Sequence, residues 1–240
     1  MWSAALLVIA AALPQDPPAP KDDPARAAAI EQTLASGKVA EKLALLRAQK
    51  DSESAEIVKA VGKALADADV GVRVEAIEAL ARAKHGSALE LLLAYHKEHR
   101  KALRADEVVL PKLLRAIARS GDERAVDVLA DDVQGQLKPA TLSARILGLG
   151  RVRSKRAADA LVRVMGTIGF AEQQRHLEDF RLTFVVLTGS DQGRTFEAWS
   201  SWWSKNRESF ALPRETPKLS AADQERWNAY WAGAPSKSAK

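Results

Sequence analysis

Ala79-Leu80-Ala81-Arg82, Ala116-Ile117-Ala118-Arg119 and Gly148-Leu149-Gly150-Arg151 write one short pattern three times: small, apolar, small, Arg. The register runs on without a gap. Ala88-Leu89-Glu90-Leu91-Leu92 matches Ala125-Val126-Asp127-Val128-Leu129 and Ala157-Ala158-Asp159-Ala160-Leu161, each reading small, apolar, acidic, apolar, Leu. A fainter earlier copy runs from Leu43 through Leu46 and Arg47 to Ile57, Val58 and Val61. From Ala79 to Ala116 is 37 residues and from Ala116 to Gly148 is 32, the spacing of helix-pair repeats.

Each copy has a physical rationale. Over Val72 to Ala83 the apolar residues Val72, Ala76, Ile77, Ala79 and Leu80 recur at helical spacing, with Arg73, Glu75, Glu78 and Arg82 interleaved on the other face. Breakers follow, Lys84-His85-Gly86-Ser87 in one copy and Ser120-Gly121-Asp122-Glu123 in the next, and a second apolar segment begins. One helix pair buries too little area to stand alone, so successive pairs must stack and share a core.

The stretch Leu65 to Leu80, with Asp67 and Asp69 before the Val72-Arg73 pair and then Ala76, Ala79 and Leu80, resembles the HEAT-like repeats related to those of phycobilisome lyases. The resemblance covers roughly residues 28 to 165. It implies an all-α fold, an α-solenoid of about four helix pairs with a concave protein-binding surface. The scaffold serves many unrelated tasks and so says little about function.

After Met165 the pattern changes. Gly166 and Gly169 break the chain, a helix is predicted from about Ala171 to Leu187, and Gly189-Ser190-Asp191-Gln192-Gly193 forms a loop. The next helix places Phe196, Trp199 and Trp203 on one face, which Trp202 widens. Leu187-Thr188-Gly189 with Gly193 and Trp199, Trp202, Trp203 and Asn206 resembles a tail found on exported HEAT-repeat proteins of some bacteria. Because a terminal element must cover the last apolar face of stacked repeats, Phe196, Trp199, Trp202 and Trp203 are expected to cap their open end, the alternative being an aromatic ligand platform. A last helix, capped by Ser220 with Asp223 at its third position, carries Trp227, Tyr230 and Trp231 and is expected on the same aromatic cluster.

At the other end, Met1 to Leu13 is free of charge and runs Leu6-Leu7-Val8-Ile9 into Ala10-Ala11-Ala12, the pattern of a signal peptide with a small-residue cleavage site. It is too short to cross a bilayer, which takes about 20 apolar residues, so no transmembrane segment is expected in the mature chain. Residues 14–27, rich in Pro, read as a tether, residues 28–166 as the repeats and residues 167–240 as cap and tail. Cleavage is expected between Leu13 and Gln15, and the destination is the periplasm or the exterior.

Composition narrows the chemistry. Hydrophobic residues make up 47% and aromatic ones 5%, with no alternating β-branched runs, which favours an all-α protein over a sheet. The absence of cysteine excludes disulfides, thiolate zinc sites and cysteine nucleophiles. No catalytic residues, cofactor or metal are expected. His96 and His99 share a helix face but lack a third ligand and read as a surface pair. Asp131-Asp132 reads as a solvated helix end, and Gly148-Leu149-Gly150 as small residues in close helix packing. No His-Asp-Ser constellation emerges from the motifs.

Charge is the one lopsided feature. Basic residues number 36 against 31 acidic ones, mostly interspersed, yet between Lys138 and Met165 seven basic residues face a single acid, Asp159. Arg151, Arg153, Lys155 and Arg156 fall in one turn and are expected to form a ridge that binds an anionic partner, the alternative being a solvated turn. The reading is an exported, non-enzymatic scaffold for a protein or an anionic envelope polymer. A lyase-related enzyme accessory and a nucleic-acid-binding repeat protein are the alternatives, and an export signal argues against the last.

Overall fold

The computed structural model describes residues 23–135, 137–213 and 215–232; the signal-peptide segment and the tether up to residue 22 lie outside them. Among the described residues the fold is all-α, with thirteen α-helices and one 3-10 turn. The first helix, α1 (Pro24–Ser36), begins earlier than the sequence reading placed it, so residues 24–27 belong to a helix and not to the tether. Asp23 accepts from the Arg26 N–H at 2.9 Å and Pro24 occupies the first turn, where its missing N–H costs nothing.

α2 (Val39–Ala48) and α3 (Ala55–Gly62) follow, the latter capped by the Ser54 hydroxyl and extended by the 3-10 turn Lys63–Ala66. α4 (Val70–Leu80) shows what its acidic and basic motif residues do. Asp69 accepts from the Val72 N–H at 3.0 Å, Asp67 accepts from the Asp69 N–H at 2.9 Å, and Arg73 reaches back to the Asp67 and Ala68 carbonyls at 2.9 and 3.0 Å. The motif therefore wires the turn before the helix. Lys42 of α2 closes it by binding Asp67 at 2.7 Å.

The chain continues through α5 (Ser87–Leu103), α6 (Val109–Arg119), α7 (Ala125–Ala130), α8 (Pro139–Arg151) and α9 (Lys155–Thr167). The single helix expected from Ala171 to Leu187 is two, α10 (Phe170–Arg175) and α11 (Leu177–Thr188), because His176 leaves helical geometry at φ −112° and ψ 15°. Gly189 ends α11 in the left-handed region at φ 73°, where a side chain would be strained, and returns its N–H to the Val185 carbonyl at 2.9 Å. α12 (Phe196–Asn206) and α13 (Ala221–Ala232) complete the fold.

Two layers form. α2, α4, α6, α8 and α11 pack side by side in one, and α1, α3, α5, α7, α9 and α12 in the other. A continuous core runs between them from Ala27 to Trp203. α8 is the most enclosed helix, and its two glycines are there because neighbours come close: a Cβ at Gly148 would lie 2.8 Å from Leu129 Cδ2 and 3.1 Å from Ala118 Cβ. At Gly150 it would meet Thr183 at 2.9 Å and the Trp227 ring at 3.0 Å. That second contact comes from α13, which lies over α8 on the side away from the other layer.

Candidate functional site

The four basic residues of the turn between α8 and α9 share one edge, and each is engaged by the chain itself. Arg153 donates to the Thr216 hydroxyl at 3.1 Å, to the Glu215 carbonyl at 2.9 Å and to the Pro213 carbonyl. Lys155 reaches the Glu208 carbonyl at 3.5 Å, Arg156 pairs with Asp127, and the Arg151 guanidinium lies 5.6 Å from the centre of the Trp231 ring. Arg153 and Lys155 thus hold the segment that links α12 to α13. An external anion is not needed to account for the clustering, although Arg151 and Arg156 remain exposed.

The aromatic residues of α12 face inward. Trp199, 1% exposed, stacks on Phe184 of α11 with centroids 4.1 Å apart and donates its indole N–H to the Gly193 carbonyl at 2.8 Å. Trp203 donates to Asp159 at 2.8 Å, so the one acid of the basic stretch serves as an indole acceptor while also pairing with Arg207. Phe196 sits against Gly166, where a Cβ would lie 2.9 Å from its ring. Trp202 is half-buried and Phe210 meets it edge-on. The loop from Gly189 to Gly193 is an Asp191-stabilised turn whose last carbonyl is already taken by Trp199.

α13 departs from the sequence reading, because it does not join this aromatic cluster. Trp227 packs with Leu147, Leu182, Val186 and Leu219 on the opposite side of α11, in a separate small core. Arg181 of α11 grips Asp223 through both carboxylate oxygens at 3.0 and 3.3 Å, and Arg119 of α6 donates to the Trp231 carbonyl at 2.8 Å. Cations at the last carbonyls of a helix suit its negative end.

Beneath α13 lies a constellation the sequence did not reveal. Ser143 of α8 and His176 meet Asp179 of α11, whose Oδ2 accepts from the serine hydroxyl at 2.7 Å and lies 3.2 Å from His176 Nδ1. Arg226 of α13 donates to the other carboxylate oxygen at 2.6 Å. A hydrolytic relay needs serine on one imidazole nitrogen and carboxylate on the other. Here serine and carboxylate crowd the same nitrogen, Ser143 Oγ standing 3.2 Å from Nδ1, and Nε2 is buried without a partner. The arrangement anchors a carboxylate and does not activate a nucleophile. Burial alone would raise the Asp179 pKa, but hydrogen bonds from His176 and Ser143 and the Arg226 cation more than offset this and hold it below the ordinary carboxylate value.

Two other titratable groups overturn expectations. His96 is not a surface residue: it is 7% exposed, and burial first, then nearby Arg145, lower its pKa despite the opposing pull of Asp131 and Asp132. Arg145, counted in the sequence as part of the basic stretch, is 3% exposed and donates to the Val128 and Leu129 carbonyls at 2.7 and 3.3 Å, closing the end of the six-residue helix α7. Asp131 and Asp132 diverge to different arginines of α5 and its end, Arg100 at 2.8 Å and Arg104 at 3.1 Å. Among the described residues no three potential ligands gather around a metal position.

The His96 environment predicts a pH effect with a definite sign. Its folded pKa lies below the unfolded value of about 6.5, so as pH falls through that value the unfolded chain takes up a proton that the native chain refuses. Stability should therefore decline as pH falls below about 6.5, and His96→Leu should flatten that slope in urea titrations. A slope unchanged by the substitution would contradict the assignment.

Arg145 and Asp179 carried a signal that motif reading overlooked. Arg145 stands between Leu142 and Leu149, and Asp179 before Leu182 and Val186, each on an apolar helical stripe. A charge on such a stripe calls for a buried partner. Compared with protein-family models and with curated proteins, the chain matches none.

Proposed function

We propose that the chain is a HEAT-like α-solenoid of about four helix pairs, closed by its Trp-rich helix, that acts after export as a non-enzymatic scaffold for a protein or an anionic envelope polymer. The observation that carries this reading is the order of packing, in which each helix of a layer lies on its counterpart from the preceding pair. That order suits a protein that presents a long face and holds something against it. The turn wiring by Asp67, Asp69 and Arg73 supports the family reading.

The basic edge belongs to the same proposal. Arg156, exposed although paired with Asp127, and its neighbour Lys155 offer charge to a partner, whereas Arg153 is committed to the linker. Lys155→Gln with Arg156→Gln should therefore weaken capture of anionic vesicles or an acidic protein several-fold in low salt, with the difference vanishing as salt screens it over about 8 Å. Arg153→Gln should instead loosen the linker, raising proteolysis between Asn206 and Ala221. Binding that ignores the double substitution removes the ridge from the proposal.

Export is checked by N-terminal sequencing of protein from the cell envelope or medium, where the chain should start between Leu13 and Gln15. Intact Met1 on cytoplasmic protein sinks that part of the reading, and turnover of a substrate sinks the non-enzymatic part.

A further inference from the structure

α13 differs from every other long helix in how it is held. It makes none of the close helix-to-helix packings that join the two layers, buries one side chain fully, Trp227, with Tyr230 and Trp231 half-buried beside it, and is otherwise attached by side-chain tethers through Asp223, Arg226 and its last carbonyls. A 12-residue helix is marginal by itself. The chain between Asn206 and Ala221 forms no helix among its described residues, a connection long enough to let α13 leave and return.

The surface beneath it is built to take a helix. Gly150 makes a notch, with Thr183 and Val186 beside it, that the Trp227 ring enters so closely that a Cβ at Gly150 would lie 3.0 Å from it. Asp179, buried and hydrogen-bonded by Ser143 and His176, presents its free oxygen to one cation, and Arg226 supplies it. At the far end Arg119 and Arg115 point at the last carbonyls, and Arg151 lies against Trp231. Three cations at that end fix the direction of the occupant, whose carbonyl terminus must lie there.

We infer that the face of α6, α8 and α11 is a helix-binding groove, that α13 is a displaceable latch over it, and that its partner is an amphipathic helix of another protein carrying an Arg-Trp pair and a second aromatic residue four positions after the Trp. The buried carboxylate and the glycine notch select the Arg-Trp pair, and the arginines select the helix end. For its biological use the inference rests on the scaffold reading. The groove itself is tested without it.

The probe is a fluorescein-labelled peptide of residues 219–232, titrated by anisotropy into full-length protein. Wild type should bind it weakly because α13 occupies the groove, and Trp227→Ala, which weakens the resident helix, should bind it at least tenfold more tightly. Adding Asp179→Asn should undo at least tenfold of that, since a charge-assisted hydrogen bond is lost. Failure of folded Trp227→Ala to bind, or binding indifferent to Asp179, overturns the inference. Should Trp227→Ala not fold, hydrogen exchange of wild type decides: α13 amides should exchange as a unit at least tenfold faster than those of α8, and equal protection overturns the latch. A wild-type dimer that the peptide dissociates would assign the groove to a second copy and also overturn it. None of these outcomes touches export or capture of a partner elsewhere, so failure of the latch and failure of the scaffold reading are separable.

Discussion

Trp199→Ala lowers the unfolding free energy by about 3–5 kcal/mol, the cost of emptying a core tryptophan site. The ring is buried, stacks on Phe184 at 11° between planes, and spends its N–H on the Gly193 carbonyl. Removal thus opens a cavity between α11 and α12 and strands an acceptor. Trp203→Ala has a comparable effect, since Asp159 loses its indole donor while keeping Arg207. Trp202→Ala costs far less because that ring is half-exposed. Urea unfolding checks this, with the midpoint falling and the slope unchanged. Equal and small losses at all three positions would make the aromatic face a surface and revive the ligand-platform reading.

The burial of Trp199 and Trp203 was legible because their spacing of four puts both on one helix face, and the close packing at Gly148 and Gly150 because glycine inside a helix needs a reason. What escaped was everything set by distant partners. His96 and Arg145 lie on different helices, and nothing local says that the burial of one sits beside the buried charge of the other. The basic turn looked like a ridge because sequence shows charges and hides the carbonyls of Pro213 and Glu215 that face Arg153. α13 was placed on the wrong cluster for the same reason. Its Trp227 and Trp231 spacing reports an apolar stripe, but which of two aromatic-sized notches receives it depends on the length and path of the linker and on Asp179 standing where Arg226 arrives.

Asp179→Ala should cost about 3 kcal/mol, the lower end of what breaking a buried ion pair costs. Its partners explain the discount: Arg226 is partly exposed and returns to water, whereas Ser143 and His176 lose an acceptor inside the protein. Asp179→Asn should cost less, because an amide oxygen still accepts from one of them. The pH dependence separates charge from packing. Since the folded pKa of Asp179 lies below the unfolded carboxylate value of about 3.9, the stabilisation is fully present above that value and is lost as pH falls through the folded pKa. The gap between wild type and Asp179→Ala, read from urea unfolding at a series of pH values, should therefore narrow below about pH 4 and stay constant above pH 5. A gap independent of pH would mean that Asp179 contributes by shape alone, and that Arg226 holds α13 in place with no help from its charge.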